Sequence, residues 1–146
     1  MTDTGDDIST VYTEELIALS EQVPPARLPA PDISAKAVSA VCGSAVTVEC
    51  MLNGDVITGI SFDIHGCALM RAVAAVMATV APGKTGAEVI AAGRAVQSML
   101  EGGGDMPSGD WEKLRILAPV RDYPSRHNTV MLSFDAVAKA FEGRAG

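Results

Sequence analysis

Residues 45–62 hold the feature that most restricts the fold of this chain. Ala45–Met51 alternates strictly: Val46, Val48 and Cys50 share one face, Thr47 and Glu49 the other. That period of two belongs to a half-buried strand. Asn53-Gly54 follows, a strong short-range hairpin signal because both residue types accept positive φ. Val56–Phe62 then reads as the returning strand. Ile33–Val41 is a candidate third strand. The sheet needs a cover for its apolar face, and the remaining sequence offers helices.

Four helical segments are expected. Thr10–Gln22 carries Val11, Leu16, Ile17 and Leu19, with Glu14 and Glu15 early, where acidic side chains favour a helix start. Ala68–Val80 is rich in Ala and Met with Arg71 as its one charge, so it is expected to be buried on most sides. Thr85-Gly86-Ala87-Glu88 has the form of a capping box, opening a helix that runs to about Leu100 before Gly102-Gly103-Gly104. Asn128 is a candidate cap for a last helix with Val130, Phe134, Val137, Ala138 and Phe141 on its apolar face. Trp111–Leu117 predicts a further short helix. Val23–Asp32 contains four prolines and predicts an extended linker. The acidic residues 1–8 are expected to be a disordered leader, and 9–146 one domain. The order of elements makes an α+β fold.

The charge and composition exclude several functions. A net charge of −7 lacks the clustered Lys/Arg footprint of nucleic-acid binding and of attraction to an anionic membrane. No run is long and apolar enough to span a bilayer. The N-terminal stretch lacks the basic and apolar regions of a signal peptide, so a cytoplasmic location is expected. Three cysteines, Cys42, Cys50 and Cys67, do not make a disulfide framework in such a chain. The glycine run at 102–104 lacks the phosphate-loop Lys-Ser/Thr pattern. No Ser/His/Asp set is visible, so no catalytic residues and no enzymatic activity are expected.

Cys67 is the leading candidate for chemistry. It follows Gly66 at the start of an expected helix, where unsatisfied N–H groups and the helix dipole favour thiolate, the form that binds metals and attacks persulfides. Packing as a small apolar residue is the plainer alternative. Cys42 precedes Gly43 at the start of a strand and reads equally as ligand or core thiol. Cys50 is in phase with Val46 and Val48 and belongs to the core. His127, a loop imidazole, is a candidate metal ligand or a solvent-exposed side chain. His65 and Asp63 flank the turn, and Met70, Met77 and Met99 fall on apolar helix faces.

Three segments carry a family resemblance. Val41-Cys42-Gly43-Ser44 resembles the Cys-Gly-Asp motif of the NifU/IscU/SufU iron–sulfur scaffold family. Phe62–Met70 is similar to that family's Gly-Cys turn opening a small-residue helix. Val120–Thr129 resembles its aromatic-Pro-(Ala/Ser)-Arg stretch, which precedes a third cysteine. Order and spacing agree over roughly Val11–Phe141, closest to the SufU branch. The resemblance implies a SufE/NifU-like fold with about three antiparallel strands, an N-terminal helix and several C-terminal helices. It implies a scaffold that binds iron, zinc or a transient iron–sulfur cluster and works with a cysteine desulfurase and other assembly proteins. Family members use three cysteines and one aspartate as ligands. Cys42 and Cys67 match two of them, whereas Ser44 and Thr129 stand at the other two positions, and hydroxyls are poor ligands for zinc or iron at neutral pH. His127 is then a candidate replacement, and a homodimer pooling Cys42 and Cys67 from two chains is another. The alternative function is a metal-free interaction or regulatory module. Arg126 matches the family's arginine and would pair with a site carboxylate or thiolate, or else lie on the surface as a solvated cation.

Overall fold

The computed structural model describes residues 11–23, 28–39 and 43–145. The expected leader at 1–8 and Cys42 lie outside the described residues. Three strands, β1 (Ile33–Val38), β2 (Ala45–Asn53) and β3 (Val56–His65), form one antiparallel sheet in the order β1-β2-β3. The alternation in β2 works as its sequence dictates. Val46, Val48 and Cys50 have no solvent exposure, and they sit opposite Ile64, Phe62 and Ile60 of β3, all buried. Ala35 and Ala37 of β1 extend this apolar face. Glu49 and Thr47 point the other way, where Leu28 crosses the sheet. Its N–H donates to Glu49 Oε1 at 3.4 Å, and its side chain lies 3.6 Å from the position a Cβ on Gly59 would take.

The hairpin turn falls one residue later than Asn53-Gly54 suggests. Asn53 pairs with Val56, so the two loop residues are Gly54 and Asp55. Gly54 has φ of +64° and no non-glycine residue among those described has positive φ. A glycine alone at the first central position marks a type II′ turn, whereas Asn-Gly would have given type I′. A register shift between Met51 and Leu52 absorbs the extra residue.

Four α-helices cover the apolar face and each other. In α1 (Glu14–Ser20), the Thr13 hydroxyl accepts from Leu16 N–H at 3.2 Å. Leu16 and Leu19 are buried as α1 packs on α2 (Ala68–Val80). Each such leucine is worth about 2 kcal/mol, ample to anchor a seven-residue helix. Residues 72–77 of α2 are buried on every side, as its lack of charge requires. The capping box that opens α3 (Gly86–Leu100) is complete: Thr85 Oγ1 accepts from Glu88 N–H at 3.2 Å, and Glu88 Oε1 accepts from Thr85 N–H at 2.9 Å.

The short helix expected at Trp111–Leu117 is part of a longer 3-10 segment, Gly109–Asp122. Its buried residues Leu114, Leu117 and Val120 recur every third position, which lines up one face of a three-residue turn and not of a 3.6-residue one. A second 3-10 turn, Pro124–Arg126, leads into α4 (His127–Ala145). Asn128 therefore sits inside α4 and is not its cap. Its Nδ2 donates to Ser39 Oγ at 3.4 Å, tying α4 to the end of β1. α4 lies across β1 and β2, and α3 packs on α4.

Candidate metal centre

The β3–α2 turn is built by a close approach. Gly66 follows the last residue of β3, and a Cβ there would run into Met70 Sδ and lie 3.5 Å from Ser44 Cβ. Continuing the β2–β3 register past Ala45↔His65 sets Ser44 beside Gly66, in agreement with that distance. Cys67 is the N-cap of α2 with extended backbone (φ −84°, ψ 175°), and its side chain makes no capping hydrogen bond. Its sulfur, partly buried against the core, is thus not engaged with α2's own N–H groups.

Tyr12, just before α1, lies near enough to Cys67 for the two side chains to interact. The phenol is pushed up to about 12, first by burial and then by the neighbouring Cys67 side chain, while the nearby Arg126 guanidinium acts in the opposite direction. Tyr12, Cys67 and Arg126 thus bring three separate segments to one place. Thr129 follows in the first turn of α4 and is 7% exposed. The Asn128–Ser39 hydrogen bond brings in the 39–44 segment, where Ser39 N–H donates to Ser44 O at 2.8 Å.

His127, read from sequence as a candidate ligand or an exposed side chain, sits at the start of α4. Its Nε2 lies 3.0 Å from Val120 O and 3.3 Å from Arg121 O, closing the end of the 3-10 segment. It lines a cleft with Gln97, Glu101, Met131 and Asp135. Two residues along a helix turn the side chain by about 200°, so His127 and Thr129 project from opposite sides of α4. Cys50 has no exposure, and burial pushes its thiol up to about 12, which fits a core residue. His65 and Asp63 are both exposed, 3.8 Å apart on the outer side of β3. Met70, Met77 and Met99 are buried packing residues.

Tyr12 is the participant that sequence reading passed over. Its signal was present: a tyrosine at the edge of an apolar helix needs a partner for its hydroxyl once the ring is buried. Among the described residues no three His, Cys, Asp or Glu side chains converge to hold a metal ion. Of the positions that the resemblance gives to ligands, the described ones are Cys67, Ser44 and Thr129, one thiol and two hydroxyls. That set alone does not fit a tetrahedral zinc or iron ion, which selects thiolate, imidazole or carboxylate.

A three-stranded antiparallel sheet whose last strand turns through Gly-Cys into a buried helix defines the class: an α+β domain of the iron–sulfur scaffold type. The description "NifU-like N terminal domain" matches residues 21–130, and the chain belongs to that family. The crystal structure of a nitrogen-fixing NifU-like protein (N-terminal) from Brucella abortus is 34% identical, with a TM-score of 0.87, covering 92% of this chain and 94% of that one. The SUF-system scaffold protein FiSufU from Fervidobacterium islandicum shares the fold at 22% identity and a TM-score of 0.79, covering 90% and 97% of the two chains. No curated protein matches this chain. No helix among the described residues is long and apolar enough to cross a membrane.

Proposed function

We infer that the chain acts in iron–sulfur cluster assembly as a scaffold-type protein, with Cys42 and Cys67 as its working thiols. Iron, zinc or a nascent cluster is the cargo, and a cysteine desulfurase is the sulfur donor. The observation that carries this is the placement of Cys67 at the N-terminus of a buried helix, with no capping hydrogen bond, one residue after Gly66, which Ser44 approaches. As an acceptor, the Cys67 thiolate attacks the outer sulfur of the desulfurase persulfide. The S–S bond breaks, the enzyme leaves as thiolate, and Cys67 carries the persulfide. As a ligand, Cys67 shares the cargo with Cys42, which the resemblance sets on the neighbouring loop. We leave His127 out of the ligand set because its Nε2 is engaged with carbonyl oxygens. Two thiolates leave two positions on a tetrahedral ion, which water or a second chain's Cys42 and Cys67 would fill.

The second reading, a metal-free interaction module, is favoured by the hydroxyls of Ser44 and Thr129 at two of the four positions that the resemblance gives to ligands. Metal and sulfide analysis of protein purified without oxygen separates the two. Bound iron, zinc or sulfide that falls to background in Cys67→Ala and Cys42→Ala, and persists in His127→Ala, supports the scaffold reading. Background levels in the parent chain refute it.

A further inference from the structure

We propose that the groove between α3 and the 3-10 segment is a docking site for a partner protein, and that the segment it takes is a cationic amphipathic helix. The site lies outside the metal centre and does not depend on its chemistry. One hollow of about 430 Å³ is lined by Ala92, Ala95 and Ser98 of α3, by Met106 and Pro107 of the loop that follows, and by Trp111. A second, of about 420 Å³, adjoins it between Lys84, Glu88, Ala91 and Asp110. The two share Ala92 and Trp111, so one groove runs along α3 from Glu88 to Ser98, a length of about 15 Å at the rise of an α-helix.

Shape and charge together select the occupant. The small side chains of the α3 floor let a partner approach closely. Trp111 is a rigid wall, its ring 6.2 Å from that of Phe134 behind it. Met106 is 45% exposed, an unbranched side chain that can repack around an apolar row. Asp105 is the one ionisable residue lining the first hollow, and among the described residues no cation is paired with it. The second hollow holds two carboxylates, Glu88 and Asp110, and one ammonium, Lys84, which is spent on Asp110 at 2.7 Å. Three carboxylates against one cation favour positive charge beside the partner's apolar row. A second copy of this chain, with its net charge of −7, brings the wrong sign. The groove also offers little backbone to an incoming strand. The polar groups of α3 are used within the helix, and Pro107 has no N–H while its carbonyl accepts from Arg115 Nε at 2.7 Å. A helix arrives with its own backbone already satisfied, and needs only an apolar stripe to lay in the groove.

The test uses the full chain and two synthetic helical peptides of about 14 residues, long enough to span the groove. Both place Leu along one helical face; the rest is Lys in one and Glu in the other. Calorimetry gives the affinity, and the emission of Trp111, the chain's single tryptophan, reports where the peptide sits. The Lys peptide is expected to bind at least about tenfold more tightly than the Glu peptide and to shift Trp111 emission to the blue. A cationic peptide is drawn to any acidic chain, so three variants separate the groove from net charge. Ala95→Leu fills the first hollow without changing charge and should weaken the Lys peptide about tenfold. Asp105→Asn should weaken it about threefold, whereas Asp63→Asn, which removes the same charge from the outer side of β3, should leave it unchanged. Ala95 and Asp105 are both exposed, so neither substitution disturbs the core, and melting temperature checks this. Ser98→Leu, farther along the same floor, takes the place of Ala95→Leu if that variant melts early. No binding of the Lys peptide, equal binding of the two peptides, or equal binding by the parent and the filled groove overturns the proposal. So does an Asp105→Asn protein that binds like Asp63→Asn. A parent chain that dimerises alone and loses this in Ala95→Leu assigns the groove to a second copy and overturns it as well.

Discussion

Gly93→Ala sets two opposite effects against each other, and the structure decides between them. Gly93 is buried in the middle of α3, where alanine would gain about 1 kcal/mol in helix propensity. A Cβ there would stand 2.9 Å from Phe134 Cδ1 and Cγ and 3.0 Å from Phe134 Cβ. The Phe134 Cβ is fixed to the backbone of α4, so no side-chain rotation relieves that contact. The ring is held in turn by Trp111, with centroids 6.2 Å apart and planes at 52°. Relief requires α3 and α4 to separate, and overpacking of this kind costs about 1–3 kcal/mol. The net expectation is a loss of about 1 kcal/mol and a fall in Tm of about 4 °C. Gly143→Ala is the control: it lies in α4 with nothing within 4 Å of the added Cβ, so it should gain up to about 1 kcal/mol. Urea unfolding followed by tryptophan fluorescence measures both, and Trp111, the chain's single tryptophan, reports from the contact itself. A Gly93→Ala protein as stabilised as Gly143→Ala would refute the account of α3–α4 packing.

Three further outcomes follow from individual contacts. Thr85→Ala removes the side-chain half of the capping box and should cost about 1 kcal/mol by denaturant unfolding, whereas Thr85→Ser keeps the hydroxyl and should lose little. Desolvation by the walls of the α3–α4 cleft raises the carboxyl of Asp135, an exposed residue at its edge, above the usual aspartate range, so its ionised form opposes folding at neutral pH. Asp135→Asn should therefore raise Tm at pH 7, and the difference should vanish as pH falls below about 3.9, where aspartate is protonated in the unfolded chain as well. Cys50, with its thiol pushed up to about 12, should be alkylated only as fast as the sheet opens, so its rate should rise with urea in step with unfolding.

The sheet was legible because Val46, Val48 and Cys50 report their face directly through a period of two. α2 and the start of α3 were legible for equally local reasons, an uncharged Ala/Met run and a complete capping box. The turn at Gly54-Asp55 was displaced by one because Asn53 extends the pairing to Val56, a choice made between strands and not within the dipeptide. The helix at 111–117 was legible, but its 3-10 winding was not drawn from the period of three that its apolar residues at 114, 117 and 120 carry. In the site, the turn through Gly66 to Cys67 was legible from residue type. The direction of His127 was not, because it depends on carbonyl groups freed at the end of the 3-10 segment.

The central claim is that Ser44, Cys67 and Thr129 surround one metal-binding place from which two ligands have been lost. Zinc calorimetry on Ser44→Asp with Thr129→Cys tests it most directly. The two substitutions add a carboxylate and a thiolate, ligand types that zinc prefers over the hydroxyls they replace. The account expects a large rise in zinc affinity over the parent, abolished by adding Cys67→Ala. It also expects stabilisation of the fold by about 2.7 kcal/mol when zinc exceeds its dissociation constant about a hundredfold. An affinity no higher than the parent's would contradict it and show that these positions do not enclose a common site.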